Sequence, residues 1–271
     1  MSLGPVGSIP TLGECSNEEE APGRLRLSLL GGFRLTCDAG EVELSLVAQR
    51  LLAFLALRPG FFPRRVAAEA LWPTLPVDRA RANLRSTLWK LPDVPCAIET
   101  AGNEIALSAA VSVDVINAIE LFRRLLAQSG STCSRPAAGH LWGELLPDWY
   151  DEWVILERER LRQLRLAAQE MVCRTMARAG RHYQAVEAGL ACVREEPLRE
   201  SAHRALIEAH IAEGNWCEAM RQYERYRRVL SDELGVSPSR GLATLLERAR
   251  TPPLHETGAA GSGSVPLRAA R

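Results

Sequence analysis

The 271-residue sequence has no apolar run that approaches the roughly 20 residues of a membrane-spanning helix. Its first residues also lack a basic segment followed by an apolar stretch, which argues against a secretory signal. The seven cysteines stand at least nineteen positions apart, so no C-x-x-C pair is present to build a metal or redox site. These absences predict a cytoplasmic protein with reduced, mostly buried thiols.

The motifs of common catalytic sites are also missing. The sequence contains no G-x-S-x-G nucleophile turn, no G-x-G-x-x-G dinucleotide fingerprint and no G-x-x-x-x-G-K phosphate loop. Its five histidines show no H-E-x-x-H spacing. His203 and His210 share one helix face, but packed or surface histidines are the more ordinary interpretation. The sequence therefore predicts neither an enzyme nor a bound cofactor or metal.

Positive charge is fully balanced overall, since 33 Lys and Arg residues match 33 Asp and Glu residues. The balance is uneven along the chain. Residues 24–113 hold eleven basic and eight acidic side chains, whereas residues 114–250 hold twenty of each. So small a surplus does not indicate a nucleic-acid partner by itself, and only the placement of the basic residues can do so.

Composition divides the chain into four parts. Residues 1–22 and 251–271 are rich in small residues and proline and carry no core-forming pattern, so we expect a flexible leader and a disordered tail. Residues 24–113 mix short alternating segments with short helical ones. Residues 114–250 are almost continuously helical in pattern. We therefore expect two folded domains between two unstructured ends.

The elements of the first domain are those of a winged helix-turn-helix. Alternating apolar and polar residues near its start predict short antiparallel strands. Three helical patterns follow and cover residues 46–57, 63–71 and 78–91, and Pro92 ends the last of them. Two further alternating runs flank a Gly-Asn turn and predict a terminal hairpin.

The second domain contains an internal repeat. The segment that begins Gly180-Arg-His-Tyr-Gln-Ala matches the segment that begins Gly214-Asn-Trp-Cys-Glu-Ala, 34 residues later, and Ala168 and Ala202 have the same separation. This period is typical of tetratricopeptide (TPR) repeats, in which paired helices stack; chance similarity between amphipathic helices is the alternative. The predicted fold class is mainly α, an α+β winged helix followed by an all-α TPR-like domain.

The third helix of the winged helix has two unlike faces. Ala80, Leu84, Leu88 and Leu91 share an apolar face and are predicted core residues. The opposite face and its flank carry the side-chain types that bond base edges and phosphates in a major groove. The predicted DNA contacts there are Arg79, Asn83, Arg85, Ser86, Trp89 and Lys90. A merely solvated surface is the alternative, but the helices and hairpin around this helix favour DNA.

Further contacts are predicted around this helix. Arg50, Arg64 and Arg65 lie near the starts or outer faces of the first two helices and are phosphate-contact candidates, with ordinary exposed arginines as the alternative. Thr100 and Asn103 lie at the hairpin tip, which in a winged helix can reach the minor groove or the backbone.

Several segments resemble those of a known family. Leu71-Trp72-Pro, Arg81-Ala-Asn-Leu-Arg85 and Leu88-Trp89-Lys90-Leu91 resemble the OmpR-type winged helix of SARP-type antibiotic-pathway activators. Tyr223-Glu-Arg-Tyr-Arg and Glu233-Leu-Gly235-Val-Ser-Pro238-Ser resemble the bacterial transcriptional activation domain found beside it. The likeness covers roughly residues 24–250.

The resemblance implies a transcriptional activator that binds direct repeats in promoter DNA, as two or more copies, and contacts sigma, alpha or beta subunits of RNA polymerase. It implies base contacts at Asn83, Ser86 and Lys90. In OmpR-type relatives the loop between the second and third helices touches the polymerase, which implies such contacts for Trp72, Thr74, Leu75 and Val77. The alternative function is a TPR-type protein–protein scaffold with a degenerate winged helix, which would bind no DNA even at low salt.

Overall fold

The computed structural model describes residues 25–91, 97–127 and 142–250. The predicted leader, the predicted tail and the predicted helix stop at Pro92 lie outside the described residues. Within these ranges no helix has the length and apolar character that crossing a membrane requires. The same ranges contain no group of three or more His, Cys, Asp and Glu side chains arranged to hold a metal ion.

The elements follow the predicted order of a winged helix and then helical repeats. The first group is β1 (Leu25–Ser28), β2 (Arg34–Cys37), β3 (Gly40–Glu41), α1 (Leu46–Ala56), β4 (Phe62–Pro63), α2 (Arg64–Leu71), α3 (Val77–Trp89), β5 (Ile98–Ala101), β6 (Glu104–Leu107) and β7 (Val111–Val113). The second group is α4 (Asp114–Ala127), α5 (Glu152–Arg178), α6 (His182–Glu195), α7 (Glu200–Ala212), α8 (Trp216–Leu234) and α9 (Arg240–Arg250). This order confirms the predicted fold class.

Two small sheets accompany the first three helices. One has the order β3-β2-β1-β7, in which β1 and β7 run parallel and the other neighbours run antiparallel. The other has the order β4-β6-β5, in which β5 and β6 form the predicted hairpin and β4 pairs with β6. The sequence did not predict β4 and β7, because runs of two and three residues are too short to show an alternating pattern.

Helix α3 packs on the winged-helix core through a narrow strip. Ala80 and Leu84 are buried as predicted, with 0% and 2% of their surface exposed. Leu88 was predicted to be core and is only half-buried, and Leu91 is half-buried beyond the end of the helix. Thr87 is buried instead, since its hydroxyl donates to the Asn83 carbonyl oxygen at 2.8 Å and so needs no water.

Packing divides the described chain into two compact units. The first contains residues 25–124 and 142–165, and the second contains residues 125–127 and 166–250. Most of α4 and the first half of α5 therefore belong with the winged helix. The predicted domain limit between residues 113 and 114 stays a prediction, and the compact units do not follow it.

The start of α4 shows why that helix joins the first unit. The Asp114 carboxylate accepts hydrogen bonds from the backbone N–H groups of Leu29 at 2.9 Å and Leu30 at 3.0 Å. Val115 and Phe122 are buried on the same helix. A carboxylate that satisfies backbone donors just beyond β1 fixes the start of α4 against that strand.

The second unit contains the 34-residue repeat. Gly180 and Gly214 both adopt left-handed backbone conformations, with φ of +72° and +81°. The residue after each glycine donates its N–H in the same way, since Arg181 bonds the Met176 carbonyl at 2.9 Å and Asn215 bonds the His210 carbonyl at 2.8 Å. Ala168, Ala202, Ala185 and Ala219, two pairs 34 residues apart, are all fully buried. The α5–α6 and α7–α8 turns are therefore built alike.

The Glu233-Leu-Gly235-Val-Ser-Pro238-Ser segment ends α8 and begins α9. Gly235 adopts a left-handed conformation with φ of +67°, which closes the end of α8. Ser239 accepts the Leu242 N–H on its hydroxyl at 3.3 Å and donates its own N–H to the Glu200 carboxylate at 2.8 Å. The segment therefore connects two helices and binds them to α7.

His203 lies in the core of the second unit with 1% of its surface exposed. Its Nδ1 accepts the Gln222 amide N–H at 2.8 Å, so its Nε2 carries the proton and donates to the Pro197 carbonyl at 2.9 Å. Its ring stacks on Tyr226 with centroids 4.1 Å apart. Burial lowers the pKa of His203, which holds the ring neutral in the folded protein.

Acid should therefore destabilise the protein through His203. Below the ordinary histidine pKa of about 6.5, the histidine of the unfolded chain becomes protonated while that of the folded chain stays neutral. The free energy of unfolding therefore decreases as the pH is lowered. The His203→Gln variant should lose this component of the pH dependence. Chemical denaturation of both proteins at pH 7.5 and at pH 5.5 measures it. The same pH dependence in the two proteins would show that His203 is not held neutral.

Candidate nucleic-acid interface

The outer face of α3 exposes all six residues predicted to contact DNA on this helix. The set is Arg79, Asn83, Arg85, Ser86, Trp89 and Lys90. The first residue of the helix is Val77, one position before the predicted start at Asp78, and its cap is Pro76. Asp78 instead lies in the first turn, where its charge complements the helix dipole. The predicted DNA contacts are thus on the surface, and their role stays a prediction.

The charge on this face is not compensated. Arg79, Arg81, Arg85 and Lys90 have no ion-pair partner among the described residues, and Asp78 is the only acidic residue of α3. Two of the four exposed arginines of α8 differ, since Arg221 pairs with Glu218 and Arg227 pairs with Glu224.

Ion pairs between neighbouring turns are typical of a helix face that meets only solvent. A face of four unpaired cations is instead suited to an anionic partner.

Trp89 lies on the same face with 88% of its surface exposed. An aromatic side chain of this size is rarely left in water, because burying it would gain several kcal/mol by the usual ~25 cal/mol per Å². Its position at the last turn of α3 places it beside the cation of Lys90. The apolar ring is therefore available to a partner that contacts this face.

The hairpin tip lies beside α3. Thr100 and Asn103 are exposed, and Gly102 between them adopts a left-handed conformation with φ of +57° that the tight turn requires. The Asn103 carbonyl accepts the N–H of Arg64, the first residue of α2, at 2.9 Å. The hairpin tip is thereby tied to the start of α2. Arg65 is exposed and pairs with Glu69 at 2.8 Å.

Comparisons with known proteins show what the chain is similar to. Residues 121–250 match the family model of the bacterial transcriptional activator domain. The regulatory protein AfsR of Streptomyces coelicolor is 33% identical over 251 residues, which cover 85% of this chain and 25% of AfsR. The chain is thus similar to SARP-type transcriptional regulators. AfsR of Streptomyces griseus is 28% identical over 239 residues, which cover 83% of this chain and 24% of AfsR.

A solved structure has the same fold. Mycobacterium tuberculosis EmbR, in complex with a low-affinity phosphopeptide, superimposes with a TM-score of 0.68 at 22% sequence identity. The match covers 84% of this chain and 65% of the EmbR chain. The chain spans about a quarter of the length of the two AfsR proteins that it matches.

Arg50 makes its contacts within the protein. Its guanidinium donates to the Leu71 carbonyl at the end of α2 at 3.0 Å and forms an ion pair with Asp151. Only about a fifth of each paired side chain is exposed, 22% for Arg50 and 21% for Asp151. Arg50 therefore has a structural role in the first unit, and its role as a phosphate contact stays a prediction.

The loop predicted to contact polymerase begins where Arg50 binds. Trp72 and Leu75 are half-buried and joined by a backbone hydrogen bond of 3.2 Å, whereas Thr74 and Val77 are exposed. Two of the four predicted contact residues are therefore on the surface, and the other two are partly exposed.

Arg81 is the exposed cation of this surface that the sequence analysis left out of the predicted contacts. The pattern placed Arg81 and Arg85 together on one flank of α3, four positions apart. That spacing was the signal in the sequence from which this pair of cations could have been predicted. The proximity of both residues to Arg64 could not be predicted, because it depends on how α2 and α3 pack.

Loss of the Arg50 side chain should destabilise the regulator. Arg50→Ala leaves the partly buried Asp151 carboxylate and the Leu71 carbonyl without their donor, which should lower the free energy of unfolding by about 1–3 kcal/mol. The matched control is Arg65→Ala, because the exposed Arg65–Glu69 pair should contribute only about 0–1 kcal/mol. Chemical denaturation compares the two variants. Equal, small losses would restore Arg50 as an ordinary surface arginine.

Proposed function

We propose that this protein is a sequence-specific activator that binds promoter DNA with α3 in the major groove. The observation that carries the proposal is the outer face of α3, where four cations lack acidic partners and Asn83 and Ser86 lie between them. The cations supply attraction to phosphates that does not depend on sequence. The amide and hydroxyl groups can distinguish bases.

The side chains on the face suit the major groove one by one. Asn83 can form two hydrogen bonds to adenine, Lys90 can donate to guanine O6 and N7, and Ser86 can bond either purine or pyrimidine. The exposed ring of Trp89 can cover a thymine methyl group or a sugar. Arg79 and Arg85 suit phosphates. Arg65 and Thr100 extend the same phosphate-contact role to α2 and the hairpin.

The rest of the chain supports activation rather than recognition. We assign residues 24–113 to DNA binding and residues 114–250 to activation, with the second segment overlapping the part that matches the transcriptional activator domain. The loop of Trp72, Thr74, Leu75 and Val77 is proposed to contact RNA polymerase. Two or more copies would occupy direct repeats, which raises the effective concentration at each site. No cofactor is needed for any of these steps.

Substitutions on α3 test the base-reading role. In vitro selection from random duplexes first gives the preferred site of the full chain. Asn83→Ala and Lys90→Ala should each weaken binding to that site by about 1–3 kcal/mol and relax the preference at particular base pairs. Arg227→Ala, on an exposed and ion-paired position of α8, is the control and should bind like the parent. Fluorescence titration against selected and scrambled duplexes measures both effects.

Two outcomes would contradict the proposal. Equal losses on selected and scrambled DNA would make Asn83 and Lys90 phosphate contacts rather than base-reading residues. A parent that selects no sequence and binds no duplex at low salt would be a protein–protein scaffold instead of an activator.

A further inference from the structure

A groove lies between α8 and α9 in the second unit. Its lining on α8 is Trp216, Met220 and Tyr223, which recur at intervals of four and three residues and therefore share one face of the helix. Ala243 and Leu246 of α9 line the opposite side. The space between the helices amounts to about 370 Å³, which is within the range of pockets that hold small ligands.

The groove is open because α9 is too short to cover α8. The two helices are joined by residues 235–239, so the end of α9 lies beside the first half of α8. Helix α8 has 19 residues and α9 has 11. At about 1.5 Å per residue, this difference corresponds to about 12 Å of α8 that α9 leaves uncovered. The rings of Trp216 and Tyr223 are therefore only half-buried, although both pack against the hydrophobic core of this unit.

The chain itself supplies a segment that can cover this face. Arg250, the last residue of α9, lines the groove, and the sequence continues Thr251-Pro252-Pro253-Leu254. Four extended residues span about 13 Å, which matches the uncovered length of α8. Helices usually end at or before the residue that precedes a proline, which agrees with the end of α9 at Arg250. The residues that follow α9 therefore begin where the groove is open.

The chemistry of this segment suits the groove. Pro252 and Pro253 have no backbone N–H, so an apolar groove can bury them without leaving a donor unsatisfied. Consecutive prolines favour the polyproline II conformation, and grooves lined by aromatic rings recognise that conformation. Leu254 adds an apolar side chain. Because the segment is tethered to α9, its effective concentration at the groove is on the order of millimolar, which favours it over a separate partner.

We propose that the groove between α8 and α9 binds Pro252, Pro253 and Leu254 of the same chain. The segment packs on Trp216 and Met220 and extends the core of the second unit beyond the end of α9. The proposal is independent of DNA binding. It gives the first residues after α9 a bound position, whereas their composition alone predicts a disordered tail.

The Met220 methyl group reports on the groove in the full chain. The chain has four methionines, so methionine labelled with ¹³C at its methyl group gives few NMR signals, and Met220→Leu identifies the one at the groove. Leu254→Ser should shift the Met220 signal and leave those of Met171 and Met176 in place. Leu267→Ser is the matched control, because Leu267 also follows a proline in the same tail, and it should shift none of them.

Three results would overturn the proposal. An unchanged Met220 signal in Leu254→Ser would show that the segment does not occupy the groove. Equal shifts in Leu254→Ser and Leu267→Ser would remove the assignment to residues 252–254. A Met220 signal of the parent that changes on dilution, with dimers in sedimentation, would place a second copy of the chain in the groove instead.

A peptide added in solution separates binding from a local disturbance of α9. The full-chain variant in which residues 252–254 are all serine has an empty groove under the proposal. A synthetic peptide of residues 251–257 should return its Met220 signal to the parent position at millimolar concentration, because the tether no longer helps. A peptide of residues 264–270 should leave the signal unchanged. Failure of the first peptide, or equal rescue by both, would contradict the proposal.

Discussion

Helix α3 must bury Ala80 and Leu84 against the winged-helix core, and the proposed function depends on this one constraint. Residues of an α-helix advance by 100°, so fixing two buried positions fixes the direction of every other side chain on the helix. Asn83, Ser86 and Lys90 are then necessarily on the surface. A helix with this sequence that turned its other face inward would bury several cations without partners, which costs several kcal/mol for each.

Arginines elsewhere in the first unit show what makes the α3 face distinctive. Arg158 donates to the Leu145 and Trp149 carbonyls, both at 2.8 Å, and Arg165 donates to the Gly143 carbonyl at 2.7 Å. Arg50 is likewise occupied by Leu71 and Asp151. These residues hold backbone segments in place, and their guanidinium groups already donate hydrogen bonds within the protein. The unit therefore contains cations that stabilise the fold and, on α3, cations without an acidic partner that can bind a ligand. Its total charge is nevertheless close to zero.

The sequence alone was sufficient to predict features that depend on neighbouring residues. It was insufficient for features that depend on contacts between distant residues. The two faces of α3 and the 34-residue repeat follow from spacing, and Gly180 and Gly214 show the repeated turn directly. Leu91 was misassigned because the period extrapolates the apolar face beyond the end of α3, at Trp89. The partner of Arg50 could not be predicted, because Asp151 is 101 positions away. The proximity of Arg64 to Arg81 and Arg85 could not be predicted for the same reason, since α2 and α3 meet only in the fold.

The most direct test of the account is which helix touches DNA. A photoreactive amino acid is introduced at position 86, on the outer face of α3, and in a second protein at position 227, on the exposed surface of α8. Each protein is bound to its selected duplex and irradiated. The account predicts a crosslink from position 86 to bases within the selected site and none from position 227. A crosslink from position 227 alone would contradict it, because recognition would then lie in the repeats.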